Sequence, residues 1–353
     1  MKILIIQQKM IGDVLTSSLL FEALRKKFPD AELHYLIKEH TVAVIQHNPF
    51  IDKIIYDRQN ASGKSLSLWA FMNYLRKQRY DAVVDVYSKI GSALLTYASR
   101  ARLRIGRKKW YTFFLYTKTI SYDSTKPSPA GKAIQFRMDL LKPLGVDNDD
   151  SLRSRIRLSP REREEAKLFM EKTGVNMQRK MIMCSVMGSS LHKTYPLTYF
   201  SNVLEIIVQT TQAQLLFNYL PTQKDAVEEL LKISSEKVRD RVILKCYAKS
   251  LRQFIAITSY CDALIGNEGG AVHMAKAVGI PTFAIFSPQI TKEAWAADGL
   301  NEVAVHLRDY RPELFKDLDG RKEILQSSAS LYEDFKPELF QLKLKNFLHA
   351  TIN

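Results

Sequence analysis

Cysteine, acidic residues and long uncharged apolar runs are all scarce in this chain, and each scarcity closes off a class of protein. Three cysteines, Cys184, Cys246 and Cys261, are scattered over 353 residues. An odd number of widely separated thiols in apolar strand or helix contexts builds no disulfide framework, and no pair has zinc-ligand spacing. They read as small core residues of a reduced, cytoplasmic protein. No segment approaches the uncharged length that spans a bilayer, and Ile3-Leu4-Ile5-Ile6 is too short for the apolar part of a signal peptide. Any membrane contact is therefore expected to be peripheral. No short internal repeat is visible, and no Walker A spacing precedes a lysine. Acidic residues number 37 against 52 basic ones, a net charge of +15. That excess suits a polyanionic partner, whether nucleic acid, an anionic membrane surface or a phosphorylated substrate; solubility alone is the plainer explanation.

What is present is an alternation of buried strands and amphipathic helices. Hydrophobic residues make up 46% of the chain, enough for two domains of ordinary size, each with its own core. Strand signals at Ile3 to Ile6, Glu32 to Ile37, Lys53 to Tyr56, Ala82 to Val86 and Leu103 to Gly106 are separated by helical spacing over Asp13 to Phe28, His40 to His47, Leu66 to Gln78 and Lys89 to Ser99. Polar Asn148 to Ser151 and the charged helix opening at Pro160 mark a junction. The alternation then resumes with strands at Met181 to Val186, Gln214 to Tyr219, Val242 to Leu244, Ala263 to Ile265 and Thr282 to Phe286. Strands divided by helices imply mostly parallel, doubly wound sheets. The expected layout is an α/β chain with one Rossmann-like domain over 1–160 and a second over 161–328. An amphipathic tail over 329–353, apolar from Leu331 to Leu348, docks as helix.

In such sheets ligands bind outside the carboxyl ends of the strands, and free N–H groups at a helix start favour an anion there. Four loops are placed accordingly. After the first strand, Lys9 and Gly12 lead to Asp13 at a helix start, where it is either an ordinary capping residue worth about 1 kcal/mol or a carboxylate able to take a proton from an attacking hydroxyl. Gly12 is expected to let the chain turn. Gly188, Ser189 and Ser190 before Lys193 suit phosphate oxygens, since small donors approach closely while the ammonium supplies charge; a solvated loop is the alternative. Asn218 to Gln223 forms a polar turn. Gly266 to Gly270 is a tight turn before a helix carrying His273, either a βαβ connection of geometric purpose only or an anion site that presents Asn267, Glu268, Gly269 and Gly270.

Taken in order, Gly12-Asp13-Val14, Gly188-Ser189 through Lys193 and Pro196, and Asn267-Glu-Gly-Gly-Ala-Val-His273 resemble the motifs of the family 9 glycosyltransferases, the lipopolysaccharide ADP-heptose heptosyltransferases. The resemblance covers nearly the whole chain and implies a GT-B fold with an interdomain cleft, the acceptor on the first domain and the nucleotide sugar on the second. It implies inverting transfer of heptose from ADP-heptose to the lipopolysaccharide inner core, with no metal and no cofactor beyond the donor substrate. Asp13 matches the general base. Ser189 and Lys193 match positions that hold the donor's phosphates, and Glu268 to Gly270 match the loop that touches sugar and diphosphate. The tail helix would cross back onto the first domain. Glu268 stands where Asp is usual, Gly269-Gly270-Ala271 replaces Ser-Gly-Pro, Asn218-Tyr219 replaces two glycines and Gln223 lies near a usual Glu. These departures gather on the donor side.

Arg102, Arg104 and Arg107 lie in a basic stretch interleaved with Trp110, Tyr111, Phe113 and Phe114, a mixture found in single-stranded nucleic-acid binders, at anionic lipid surfaces and at solvated strand ends. With the resemblance in hand they are expected to meet phosphorylated lipid A core or the inner leaflet of the inner membrane, nucleic acid being the disfavoured partner. Asp147-Asn148-Asp149 and Asp317-Leu318-Asp319 are read as solvated turns rather than metal ligands. The alternatives left open are a GT-B transferase for another nucleotide sugar or glycan acceptor, and a GT-B binding module without activity.

Overall fold

The computed structural model describes residues 1–60, 62–121, 131–149, 151–295, 299, 301–318 and 320–352. It divides into two compact units, Met1–Arg157 and Leu158–Asn353. The division falls three residues before the expected junction, because the segment up to Arg157 stays with the first unit and Ser159 already caps the helix Pro160–Lys172.

The first unit holds six strands: β1 (Lys2–Ile6), β2 (Glu32–Ile37), β3 (Lys53–Tyr56), β4 (Ala82–Asp85), β5 (Leu103–Arg107) and β6 (Lys118–Ile120). They lie in the order β3-β2-β1-β4-β5-β6, every adjacent pair parallel. Ile3, Leu4, Ile5 and Ile6 are fully buried. A strand covered on both faces reads as a continuous apolar run rather than an alternating one. The order reverses between β1 and β4, so the crevice for a ligand opens beyond Ile6 and Asp85, which are paired in register.

In the second unit β7 (Met181–Ser185), β8 (Gln214–Asn218), β9 (Ala263–Asn267), β10 (Thr282–Ile285) and β11 (Glu302–Val305) run parallel in the order β11-β10-β9-β7-β8. Here the reversal lies between β7 and β9, with Ser185 paired to Gly266.

Several elements depart from the sequence expectation for local reasons. The helix expected from Asp13 to Phe28 is two helices, Ile11–Ser17 and Leu19–Lys27, meeting at Ser18, whose hydroxyl donates to the Leu15 carbonyl. The helix expected from His40 is a short 3₁₀ stretch, Glu39–Val44. The strand expected at Val242 makes one isolated bridge to Leu215. The Gly266 to Gly270 turn is shorter, since β9 runs through Gly266 to Asn267.

The tail is broken by Pro337 into Ser328–Asp334 and Gln341–Thr351. Phe340, Leu344, Phe347 and Leu348 join the second unit's own core with Phe283, Val305 and Phe335. Its buried apolar residues thus pack within that unit, whereas the tail was expected to dock on the first domain. All three cysteines are buried and free, as core residues should be.

Candidate functional site

In the first unit the loop after β1 leads into the helix Ile11–Ser17, where Asp13 is the third residue. Gly12 is simply helical, so its expected turn is absent. One carboxylate oxygen, Oδ2, accepts the Met10 N–H at 3.3 Å, the bland capping role. The other, Oδ1, accepts from Nη2 of Arg137 at 2.6 Å. Arg137 comes from the helix Lys132–Asp139 and is only 6% exposed. Its Nε donates to the Ser17 hydroxyl at 3.0 Å and its Nη1 to the Ala133 carbonyl at 2.7 Å. Burial pulls the guanidinium pKa below its ordinary value, and the Asp13 charge opposes that pull. The next carbonyl, that of Val14, accepts the buried Tyr35 hydroxyl at 2.8 Å. Asp13 is therefore held from both sides with its carboxylate still part-exposed. Lys9, beside it in the loop, is exposed.

Across the strand reversal, Asp85 ends β4 fully buried. Its Oδ2 accepts the Tyr116 hydroxyl at 2.8 Å and its Oδ1 the Ser88 N–H at 2.7 Å. Tyr116 reaches it by crossing Gly106, where an added Cβ would meet the ring at 2.4 Å. With neutral partners only in direct contact, burial pushes the Asp85 carboxyl up to about 6. Further along the same carboxyl edge, Lys38, Glu39, His40, Asp57 and Arg58 line a hollow of 710 Å³ beyond β2 and β3.

The three arginines expected to meet the acceptor are not together. Arg102 precedes β5 and Arg104 is its second residue, at the amino edge of the sheet, whereas Arg107 closes β5 at the carboxyl edge, about 16 Å along the strand from Arg102. Arg104 donates to the Ala101 and Leu115 carbonyls, and Arg107 lies 4.0 Å over the Phe136 ring. Only Arg107 is at the same edge as Asp13. Arg102 and Arg104 are corrected on that ground, since charge spacing along a strand says nothing about which end faces the ligand.

In the second unit the segment after β7 is the hub. Gly188 is required where it stands, because a Cβ would lie 2.1 Å from the Lys193 carbonyl. The loop folds back so that Lys193 ends a short 3₁₀ turn, Leu191–Lys193, half-buried with no partner for its ammonium among the described residues. Ser189 and Ser190 are exposed. Neighbouring carboxyl-edge loops stitch this hub in place. From beyond β8, Gln223 donates to the Gly188 carbonyl at 3.1 Å. From beyond β10, the Ser287 hydroxyl donates to the His192 carbonyl at 2.9 Å.

From the end of β9, Asn267 accepts the Tyr195 N–H at 2.6 Å and donates to the Ser185 and Val186 carbonyls, each at 3.0 Å. Asn267 is 1% exposed and its amide is fully used. It positions the loop rather than touching a donor, a correction to its expected role. Gly266 lets it do so: φ is +139° and a Cβ would sit 2.3 Å from the Ser185 carbonyl.

Beyond β9, Gly269 precedes the helix Gly270–Ala277, whose first N–H groups have no intrahelical acceptor. An added Cβ would meet nothing within 4 Å at Gly269 and only Met274 Cε, at 4.0 Å, at Gly270. These two glycines leave open space over a helix start, the arrangement suited to a diphosphate. The Glu268 carboxylate, expected to point at sugar hydroxyls, sits 3.6 Å from Nε2 of His273, and the His273 ring packs 5.1 Å from that of Trp295.

Among the described residues no group of three His, Cys, Asp or Glu could hold a metal. Asp149 pairs instead with Lys26 at 3.2 Å, and Asp319 lies outside the described residues.

Sequence reasoning missed Arg137, Asp85, Tyr116 and Ser287. Each acts through a partner remote in sequence, 124 positions away for Arg137, so no local spacing announces it.

The model of glycosyltransferase family 9 (heptosyltransferase) matches residues 68–314. The lipooligosaccharide heptosyltransferase 2 of Haemophilus influenzae is 22% identical over 355 residues, covering 99% of each chain. A solved glycosyl transferase of family 9 from Veillonella parvula superposes with a TM-score of 0.73 at 19% identity, over 94% of this chain and 97% of that one. The Escherichia coli heptosyltransferase WaaC, solved with ADP-2-deoxy-2-fluoro heptose, gives 0.64 at 14% identity, over 95% and 98%. With the family model matching well over half its length, the chain belongs to glycosyltransferase family 9, the heptosyltransferases, and is a glycosyltransferase of the GT-B fold.

Proposed function

We propose that this chain transfers heptose from ADP-heptose to the phosphorylated inner core of lipopolysaccharide, with inversion at the anomeric carbon and no metal ion. The observation that carries the reading is Asp13 at the strand reversal of the first unit, held by Arg137 with one oxygen at 2.6 Å and the carboxylate part-exposed. Asp13 takes the proton of the acceptor hydroxyl through Oδ2, the oxygen that Arg137 does not hold. That hydroxyl oxygen forms a bond to the anomeric carbon from the face opposite the diphosphate. The bond from that carbon to the β-phosphate oxygen breaks, and ADP leaves with the electron pair. Lys193, Ser189, Ser190 and the N–H groups at Gly270 and Ala271 take up the charge that develops on the leaving diphosphate.

Donor identity is supported by the ADP-2-deoxy-2-fluoro heptose with which the related WaaC was solved. The acceptor's anionic groups are assigned to Lys9, Arg107 and the Lys38, His40 and Arg58 side chains that line the hollow. The proposed acceptor implies that the reaction takes place in the cytoplasm at the inner face of the inner membrane. No helix among the described residues is long and apolar enough to cross a membrane.

The test is ADP release from ADP-heptose with a lipopolysaccharide-core acceptor, wild type beside Asp13→Asn, with UDP- and GDP-sugars as competing donors. Loss of about 10³-fold in kcat with ADP binding kept is expected for the variant. Normal turnover by the variant would remove Asp13 as base. Preference for another nucleotide would move the assignment to a different sugar donor, the reading that the Glu268 to His273 contact leaves room for.

A further inference from the structure

The crossover between β5 and β6 carries an exposed aromatic cluster that neither the fold nor the reaction uses. Trp110, Phe113 and Phe114 are 86%, 53% and 64% exposed. They are not loose. The segment turns through backbone bonds from Phe113 N–H to the Lys109 carbonyl and from Leu115 N–H to the Thr112 carbonyl, both at 3.0 Å. Its other side is anchored where Leu115 and Tyr116 pack on Ala93 of the helix Ile90–Ala98, and where Tyr116 donates to Asp85. A rigid loop that turns two side chains inward and holds three large rings outward has spent apolar surface on something outside itself.

Charge identifies the partner. Between Asp85 and Asp123 the sequence has eight cations and no carboxylate. Lys108 and Lys118 flank the rings and are exposed, as is Lys89 at the start of the adjoining helix. Ile90, also exposed, extends the apolar patch onto that helix. Aromatics ringed by lysines match the boundary between acyl chains and anionic headgroups. Single-stranded nucleic acid fits less well, because base stacking needs free ring faces. Here Trp110 and Tyr111 stand at 79° to one another, and Phe113 and Phe114 at 87°, so neither pair presents two parallel faces to successive bases.

We propose that Trp110, Phe113 and Phe114 insert into the surface of an anionic phospholipid bilayer, with Lys108 and Lys118 on the headgroups. It assigns the bilayer contact to these rings and lysines, where Arg102, Arg104 and Arg107 were expected to meet lipid A core or the inner leaflet. It deepens the peripheral location proposed above by naming the surface that makes the contact, and it rests on that reading only for where the bilayer is.

Flotation of the full chain with vesicles tests it. Equal parts of phosphatidylethanolamine and phosphatidylglycerol should carry the protein up, and phosphatidylcholine alone should not. Trp110→Ser combined with Phe113→Ser and Phe114→Ser should weaken binding by roughly tenfold or more. Lys108→Glu should cost about fivefold in low salt. All of these residues are exposed, so thermal unfolding and turnover of a deacylated, water-soluble acceptor should stay at wild-type levels while turnover of acceptor embedded in vesicles falls.

Vesicle binding unchanged in the triple variant, or absent in wild type, overturns the proposal. So does loss of binding to a single-stranded oligonucleotide at wild-type vesicle affinity, which would assign the patch to nucleic acid. Wild-type protein that floats but turns over neither acceptor would defeat the proposed function and leave the patch standing.

Discussion

Asp13 and Arg137 form a 2.6 Å ion pair in which the arginine is buried and the carboxylate part-exposed. The pair is asymmetric: removing the acid leaves a buried cation uncompensated, whereas removing the arginine leaves a carboxylate that water can still reach. Asp13→Asn should therefore lower stability by about 3 kcal/mol and Arg137→Met by less, about 2 kcal/mol, in urea unfolding. Activity should fall in both. In Arg137→Met the proposed base survives but its direction is lost, so kcat should drop roughly 10²-fold with the donor KM unchanged. Arg137→Lys, which keeps the charge but not the forked contact to Asp13 and Ser17, should recover part of the stability and little of kcat. Full recovery of kcat in the Lys variant would point to charge alone.

The glycines of the second unit separate into those the backbone needs and those a guest needs. Gly188→Ala would drive a methyl to 2.1 Å from the Lys193 carbonyl, so the loop must move and Lys193 with it. At Gly269 the same methyl meets nothing within 4 Å. Titration with ADP should show at least a tenfold weaker Kd for Gly188→Ala together with a lower Tm. Gly269→Ala should fold normally, its effect confined to the donor, roughly threefold to tenfold in KM. A Gly269→Ala variant as unstable as Gly188→Ala would contradict the open space assigned there.

These contrasts show why the sequence was legible in some places and silent in others. Parallel strands buried on both faces print their signature as apolar runs, so Ile3 to Ile6 and Ala263 to Ile265 could be read directly. Helix starts and loops at the carboxyl ends then followed, and with them Asp13, Gly188 and Gly270. What could not be read is what depends on a second element. Arg137 sits in a helix whose own spacing gives no hint of Asp13. Asn267 has a donor-site position, yet the structure spends its amide on Ser185, Val186 and Tyr195. Arg102 and Arg107 are close in sequence but at opposite ends of β5. The tail's apolar pattern was plain, while its destination was set by Phe283 and Phe335 of the second core.

Asp85 makes stability depend on pH in an unusual direction. Its carboxyl is raised from an ordinary 3.8 to about 6 by burial, so the folded chain holds this proton more tightly than the unfolded one. Stability from this group is highest below pH 3.8, falls as pH rises through that window, and is fully lost above about 6. Asp85→Asn keeps a carbonyl for the Ser88 N–H and an amide for Tyr116, with no charge to bury. It should be neutral to stabilising by about 1–3 kcal/mol at pH 8, the difference from wild type shrinking toward pH 4. A variant less stable than wild type at pH 8 would show that the ionised form is held by more than Tyr116 and Ser88.

Glu162 should behave in the opposite sense. Arg252 holds it bidentately, Nε to Oε1 and Nη2 to Oε2, both at 2.7 Å, and the Ser159 N–H adds a bond at 2.8 Å. The guanidinium takes the Glu162 carboxyl down to about 2 from an ordinary 4.5. The unfolded chain therefore binds the proton more tightly, and the pair's stabilisation is complete above pH 4.5 and lost as pH falls toward 2. The shift corresponds to about 3 kcal/mol, reduced by partial exposure to roughly 2 kcal/mol. Because the pair ties the helix Pro160–Lys172 to the helix Leu251–Thr258, which leads into β9, Arg252→Met should lower the second unit's stability by that amount at pH 7 and by less than half of it at pH 3. Hydrogen exchange of the helix Leu251–Thr258 at the two pH values reads this directly; protection lost equally at both would mean that Arg252 acts through packing of its stem rather than through Glu162.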